Sequence, residues 1–186
     1  MRSSTFFTST LWAATTLAHG NITSPPARQP GPVMQQVCGA AAVSSILADG
    51  TGPLENIQSN GAADCNIFMC KGAQFEDNQA NVQEFAPGEV VPFKAQLPIP
   101  HEGPCNVSII DTATNTQVGQ PLLVFDSYAD ENLAQLPANN TAFSVTMPAD
   151  LGTQCQTPGE CTIQWFWFGT SAQQTYENCV DFVMTA

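Results

Sequence analysis

Cys161-Thr162-Ile163-Gln164-Trp165-Phe166-Trp167-Phe168 is the stretch on which the fold turns. It is apolar nearly throughout. In an extended chain successive side chains alternate, so Trp165 and Trp167 share one face while Gln164 lies with Phe166 and Phe168 on the other. The stretch is predicted to be a central strand, with both tryptophans in the core and Gln164 in need of a polar partner.

Working outward, further short β-patterned runs alternate with turns: Val90–Gln96, Val107–Asp111, Leu122–Phe125, Phe143–Met147 and Val180–Met184. In Phe143-Ser144-Val145-Thr146-Met147 the alternation of apolar and polar is clean, which puts one face in a core. This spacing predicts an all-β, antiparallel sandwich. The chain before about Gly88 differs, being rich in Gly, Ala, Pro, Asn and Gln, with short helices predicted at Val33–Val37 and Ala40–Leu47. It reads as a long excursion pinned by disulfides. Neither an internal repeat nor a linker divides the chain. Pro98-Ile99-Pro100-His101-Glu102-Gly103-Pro104 reads as a stiff loop between two strands, holding His101 with little backbone freedom.

At the other end, Met1-Arg2, the apolar run Phe6–Leu17 and the small-x-small Thr16-Leu17-Ala18 together read as a removable secretion signal over residues 1–18. The run is too short and too interrupted by Thr and Ser to span a bilayer. Residues 19–186 then form a single secreted domain. Cutting after Ala18 makes His19 the first residue; cutting one or two positions away leaves it an ordinary tail residue. The chain has two histidines, His19 and His101. An N-terminal histidine offers both a free amine and a ring nitrogen to one ion, and a second imidazole would complete a T-shaped copper site. Copper binds these donors strongly, and three nitrogens leave positions open for dioxygen or peroxide. The amine, with an ordinary pKa of about 8, must lose its proton, so binding should weaken in acid.

The net charge of −12, with four Lys and Arg residues in 186, disfavours phosphate backbones and anionic lipid. Neither nucleic acid nor membrane is an expected partner, whereas a neutral polysaccharide is compatible. Sequons at Asn21, Asn106 and Asn139 suit a secretory route. Seven cysteines are expected to meet an oxidising compartment. Spacing pairs Cys65 with Cys70 and Cys155 with Cys161, the second pair around a Thr157-Pro158-Gly159 turn. Cys38 with Cys179 then ties the early region to the last strand and leaves Cys105 unpaired. Structural zinc is the competing reading, but no CxxC spacing exists.

Directly after the aromatic strand comes Gln174-Thr175-Tyr176-Glu177-Asn178-Cys179. With His19-Gly20, Ser24-Pro25-Pro26-Ala27-Arg28, Cys70-Lys71-Gly72, Ala80-Asn81-Val82-Gln83, His101 and Asn106-Val107-Ser108, it makes nearly the whole of residues 19–186 resemble the copper-dependent lytic polysaccharide monooxygenases. The chain looks closest to the fungal auxiliary activity family sixteen. The resemblance implies an immunoglobulin-like or fibronectin-type sandwich with His19 and His101 as copper ligands. It further implies Tyr176 on the weak axial side, and Gln174 facing and orienting the oxygen species. It also implies an oxidoreductase with one copper per chain, an external electron donor, and dioxygen or hydrogen peroxide as co-substrate. Such an enzyme abstracts hydrogen from a glycosidic carbon of an insoluble polysaccharide, with cellulose and carbon-one oxidation favoured, and works as a monomer.

Each residue also has a plainer role. Tyr176 can be a corner tyrosine of the sandwich, Gln174 a turn residue, and His101 a solvated loop residue. Tyr128 reads either as an exposed platform for sugar or as a plain surface tyrosine, and Glu102 as a solvated carboxylate. Cys105 beside His101 departs from the family pattern, as does a loop this acidic and proline-rich. With both histidines already used, no Ser-His-Asp triad is available, and no motif supports a paired-carboxylate hydrolase. Two other functions compete. One is a non-catalytic secreted copper-binding protein for uptake or transport, which in relatives carries an aspartate near the copper; the other is a metal-free carbohydrate-binding module.

Overall fold

In the computed structural model residues 19–185 are described; the predicted signal at 1–18 lies outside them. In chain order the main elements are β1 (His19–Ser24), α1 (Pro32–Cys38), α2 (Ala40–Ala48), β2 (Gln83–Phe85), β3 (Val90–Ile99), β4 (Gly103–Asp111), β5 (Thr116–Tyr128), β6 (Ala142–Thr146), β7 (Cys161–Gly169) and β8 (Gln174–Met184). The strands form a three-stranded sheet, β1-β3-β6, and a five-stranded sheet, β2-β8-β7-β4-β5. Every strand run and both helices read from the pattern are present. The result is an immunoglobulin-like, fibronectin-type sandwich, antiparallel except for β2, which runs parallel to β8.

β7 lies in the middle of the larger sheet, between β4 and β8. Cys161, Ile163, Trp165 and Trp167 are buried between the sheets, where they meet Val91, Phe93, Phe143, Val145 and Met147 of the smaller sheet and its margin. Phe93 and Phe143, opposite each other on β3 and β6, stack at 5.5 Å. On the other face of β7, Gln164 has its polar partner in the Glu177 carboxylate of β8.

Three expectations change. The stiff loop Pro98–Pro104 shrinks to 100–102, because β3 continues through Pro98 to Ile99. Pro98 is tolerated because the β1–β3 register slips between the His19–Ile99 and Asn21–Gln96 pairs, where the ladder needs no amide from it. Tyr128 is neither a sugar platform nor a surface residue. Since β5 extends to it, the ring is wholly buried against Trp165 and Trp167, and its hydroxyl donates to the Asn140 carbonyl at 2.6 Å. Burial raises its phenol pKa.

The third correction concerns the disulfides. Cys155–Cys161 is paired, but the other bonds are Cys38–Cys65 and Cys70–Cys179, rather than Cys65–Cys70 and Cys38–Cys179. Cys38 ends α1 inside a small cluster with Met34, Ala42, Ile46 and Ala73, and Cys65 packs beside it. Cys70 begins three consecutive left-handed residues, Cys70, Lys71 and Gly72, which bring it to the outer side of β8. Cys105 is the free cysteine and is buried, its thiol pKa pushed up by burial. Cys70 and Cys179 also lie near Glu177, but their sulfurs are bonded to each other and cannot serve as thiolate ligands.

The early excursion covers the outer face of β8 through one handle on each outward residue. The Glu55 carboxylate accepts from the Thr175 amide at 2.9 Å, Cys70 donates its amide to Glu177 and bonds Cys179, and Arg28 grips Asp181 with two 2.7 Å hydrogen bonds. Ionic groups tolerate such burial only when paired, and Arg28 and Asp181 have side chains 6% and 1% exposed.

Candidate metal centre

The β1–β3 pairing sets His19 opposite Ile99, two residues before His101. The β7–β8 hairpin closes at the same end, with Gly169 opposite Gln174 and Trp167 opposite Tyr176. Gly169 lies between the two side chains: a carbon added there would be 3.4 Å from His101 Cβ and 3.9 Å from Tyr176 Cε2. Gly103 is the constrained glycine, since a Cβ would sit 1.9 Å from the Phe168 carbonyl oxygen. The backbone of the His101 turn therefore presses directly on β7. It is tied there by Thr170, whose amide donates to Glu102 O at 2.9 Å.

His101 is 5% exposed, not a solvated loop residue. Glu102 is half-buried, and its amide donates to the Glu131 carboxylate at 2.6 Å. Gln174 and Tyr176, two apart on β8, point to the same side. The Tyr176 ring is buried and stacks on Trp167 at 4.4 Å, while its hydroxyl donates to Gln174 Oε1 at 2.7 Å. Burial, followed by the negative charges of Glu55 and Asp49, raises the phenol pKa, so Tyr176 keeps its proton. Of the sequons, Asn139 is exposed, whereas Asn21 and Asn106 are half-buried in strands.

Sequence reasoning missed Asp49. Its Oδ2 lies 2.7 Å from His19 Nε2, while its Oδ1 accepts from the amide and hydroxyl of Thr51 at 3.0 and 2.7 Å. Partial burial raises the carboxyl pKa, but the Thr51 hydrogen bonds and the His19 imidazole outweigh this and leave it below the ordinary value. Lys71, also missed, is 5% exposed and donates to Gly50 O at 2.7 Å. Burial pushes its pKa down to about 8 against the opposing pull of Glu177 and Asp49. Burial raises the Glu177 pKa, with Gln164, the Cys70 amide, Lys71 and Arg28 opposing. An Asp just past a helix and a Lys in a turn carry no pattern that separates them from surface residues.

The donors at this end suit copper: two imidazoles, with the α-nitrogen of His19 added if His19 begins the chain, and a neutral phenol beside them. No helix among the described residues is long and apolar enough to cross a membrane.

Residues 19–182 match the family described as lytic polysaccharide mono-oxygenase, cellulose-degrading. Among curated proteins none matches the chain. A copper complex of the cellulose-active lytic polysaccharide monooxygenase CelS2 is similar at 14% identity and a TM-score of 0.49, covering 89% of this chain and 98% of the other. A chitin binding domain from Burkholderia pseudomallei is similar at 12% identity and a TM-score of 0.48, covering 90% and 100%. A lytic polysaccharide monooxygenase of family AA15 from Thermobia domestica, in its Cu(I) state, shows 16% identity and a TM-score of 0.45, covering 89% and 98%.

Proposed function

Since the chain belongs to the lytic polysaccharide mono-oxygenase family, whose members are copper-dependent oxidoreductases acting on polysaccharides, we propose that it is a secreted enzyme cleaving cellulose with oxidation at carbon one. The observation that carries this reading is the gathering of His19, His101, Gln174 and Tyr176 at the end of the sandwich where β1 begins and the β7–β8 hairpin closes. The resemblance to the fungal auxiliary activity family sixteen rests on the motifs quoted above and belongs to the same proposal.

His19, through its amine and ring, and His101 would hold one copper, with the Tyr176 phenol beside them. When bound, copper supplies one-electron chemistry that activates dioxygen or hydrogen peroxide, with an external electron donor, for hydrogen abstraction from a glycosidic carbon. The protein's part is orientation. Tyr176 donates to the carbonyl oxygen of Gln174 and so fixes the orientation of the side chain that faces the oxygen co-substrate. The acidic surface suits a neutral polymer.

The mature chain, given copper, reductant and peroxide, should release oxidised oligosaccharides from cellulose, with aldonic acid ends marking carbon-one attack by mass spectrometry. Failure to do so across cellulose, chitin and hemicellulose would falsify the enzymatic reading and leave copper carriage. A residue left ahead of His19 should abolish tight copper binding. Copper binding that is weak in the mature chain and unchanged in that form would point to a metal-independent carbohydrate-binding module.

A further inference from the structure

We propose that Asp49 is a positioning residue for His19: its carboxylate accepts the Nε2 proton and fixes the imidazole as the tautomer whose lone pair is on Nδ1. Of the two ring nitrogens, Nδ1 is the one next to the carbon bearing Cβ, so only it can share an ion with the α-nitrogen of the same residue. Nε2 lies on the far side of the ring. A carboxylate seated there is outside the chelate and acts through the ring, selecting the donor atom and fixing the ring's orientation. The inference rests on the copper reading above, and it gives Asp49, an aspartate placed near the proposed copper as in the copper-carrier reading, a role through the ring of His19.

The surrounding loop is built to hold that carboxylate. Asp49 follows α2, its amide bonded to Ser45 O at 3.1 Å. Its two oxygens divide their work, with Oδ1 anchored by Thr51 and Oδ2 on His19. Thr51 in turn accepts the Gly20 amide at 2.9 Å, so the loop is fastened to the residue after His19. From below, the buried Lys71 ammonium holds Gly50 O. Beyond Pro53 the Glu55 carboxylate takes the Thr175 amide, between Gln174 and Tyr176. One loop thus ties together the strand that carries His19 and the strand that carries Gln174 and Tyr176. Gly52 lets it turn, since a Cβ there would stand 3.0 Å from Asp49 Oδ2.

The test uses the mature chain beginning at His19, as wild type, Asp49→Asn, Asp49→Ala and Thr51→Val. In metal-free protein at mildly alkaline pH, nitrogen-15 NMR of the imidazoles should show His19 held as the Nε2–H tautomer in wild type. In Asp49→Ala it should be a tautomer mixture. Asn, which retains a carbonyl acceptor, should restore most of the preference. Copper(II) affinity by competition titration should fall by about 10- to 100-fold in Asp49→Ala and less in Asp49→Asn. Thr51→Val, which removes the hydroxyl hydrogen bond to Oδ1 and keeps the amide one, should give a smaller loss in both readouts. One copper should bind per chain in every variant, with the electron paramagnetic resonance spectrum keeping its nitrogen ligand count.

Unchanged tautomer and affinity in folded Asp49→Ala would overturn the proposal. So would a changed ligand set in Asp49→Asn, which would make Asp49 a copper ligand. If wild type and His19→Ala bind copper equally weakly, the copper reading fails instead, while the metal-free tautomer measurement still decides what Asp49 does.

Discussion

Tyr176 does two things through different atoms. Its ring stacks on Trp167 and its hydroxyl holds Gln174. Tyr176→Phe keeps the ring and loses a hydrogen bond with a net worth of about 1 kcal/mol. Copper affinity should stay within about threefold, while oxidised-product formation falls by up to about tenfold. Gln174→Ala should show a similar loss, and the double variant little more than either, because both remove one interaction. At this scale the site was legible where residue types are scarce or sit in a motif. His19 and His101 are the only histidines in the chain, and Gln174 and Tyr176 follow the aromatic strand. Asp49 was not legible, because its role depends on a 30-residue separation in sequence closing to a 2.7 Å contact. Tyr128 misled for a related reason. The polar Asp126-Ser127 before it reads as loop, whereas β5 carries on and turns the ring inward.

Among the elements, α1 shows how the excursion is stabilised. It starts after Gly31 with no cap from that residue, yet the Asp77 carboxylate accepts from the Val33 and Met34 amides at 3.0 and 2.9 Å. An anion at a helix start satisfies orphan donors and meets the positive end of the backbone dipole. Asp77→Ala should cost about 1 to 2 kcal/mol, read as a lowered midpoint in urea with an unchanged slope. Gly31 admits no substitute without displacing this carboxylate, since a Cβ would lie 2.5 Å from Asp77 Cγ. Short β-patterned runs between turns revealed the six main strands, cleanly alternating in β6 and apolar nearly throughout in the central β7. β1 and β2 escaped: His19–Ser24 buries only Gly20 and Ile22, and Gln83–Phe85 is three residues long. The partners of Cys38, Cys65, Cys70 and Cys179 were equally hidden, because the shortest sequence separation is not the shortest path once Cys70 turns onto β8.

For the molecule as a whole, the outer face of β8 is a polar core in its own right, with Lys71, Glu177, Arg28 and Asp181 closed in beneath the excursion. Lys71 has a folded-state pKa of about 8 against 10.5 in the open chain. Below pH 8 both states are protonated, and the folded state bears the cost of a buried ammonium. Between about 8 and 10.5 the unfolded chain holds the extra proton, so stability from this group rises with pH. The stability difference between wild type and Lys71→Met should shift toward wild type by up to about 3 kcal/mol over that window, measured by denaturant melts at a series of pH values.

The same burial has a kinetic consequence outside the fold. With Arg28 and Lys71 turned inward, Lys94 is the one Lys or Arg that the described residues leave exposed. The exterior is therefore close to a pure polyanion. A negatively charged reductant such as ascorbate diffuses toward it against a repulsive field, whereas a neutral one does not. Added salt should speed reduction by ascorbate and leave a neutral quinol nearly unaffected, in stopped-flow traces of the copper-loaded protein. The choice of electron donor would then be governed by the ionic strength of the medium as much as by the donor's potential.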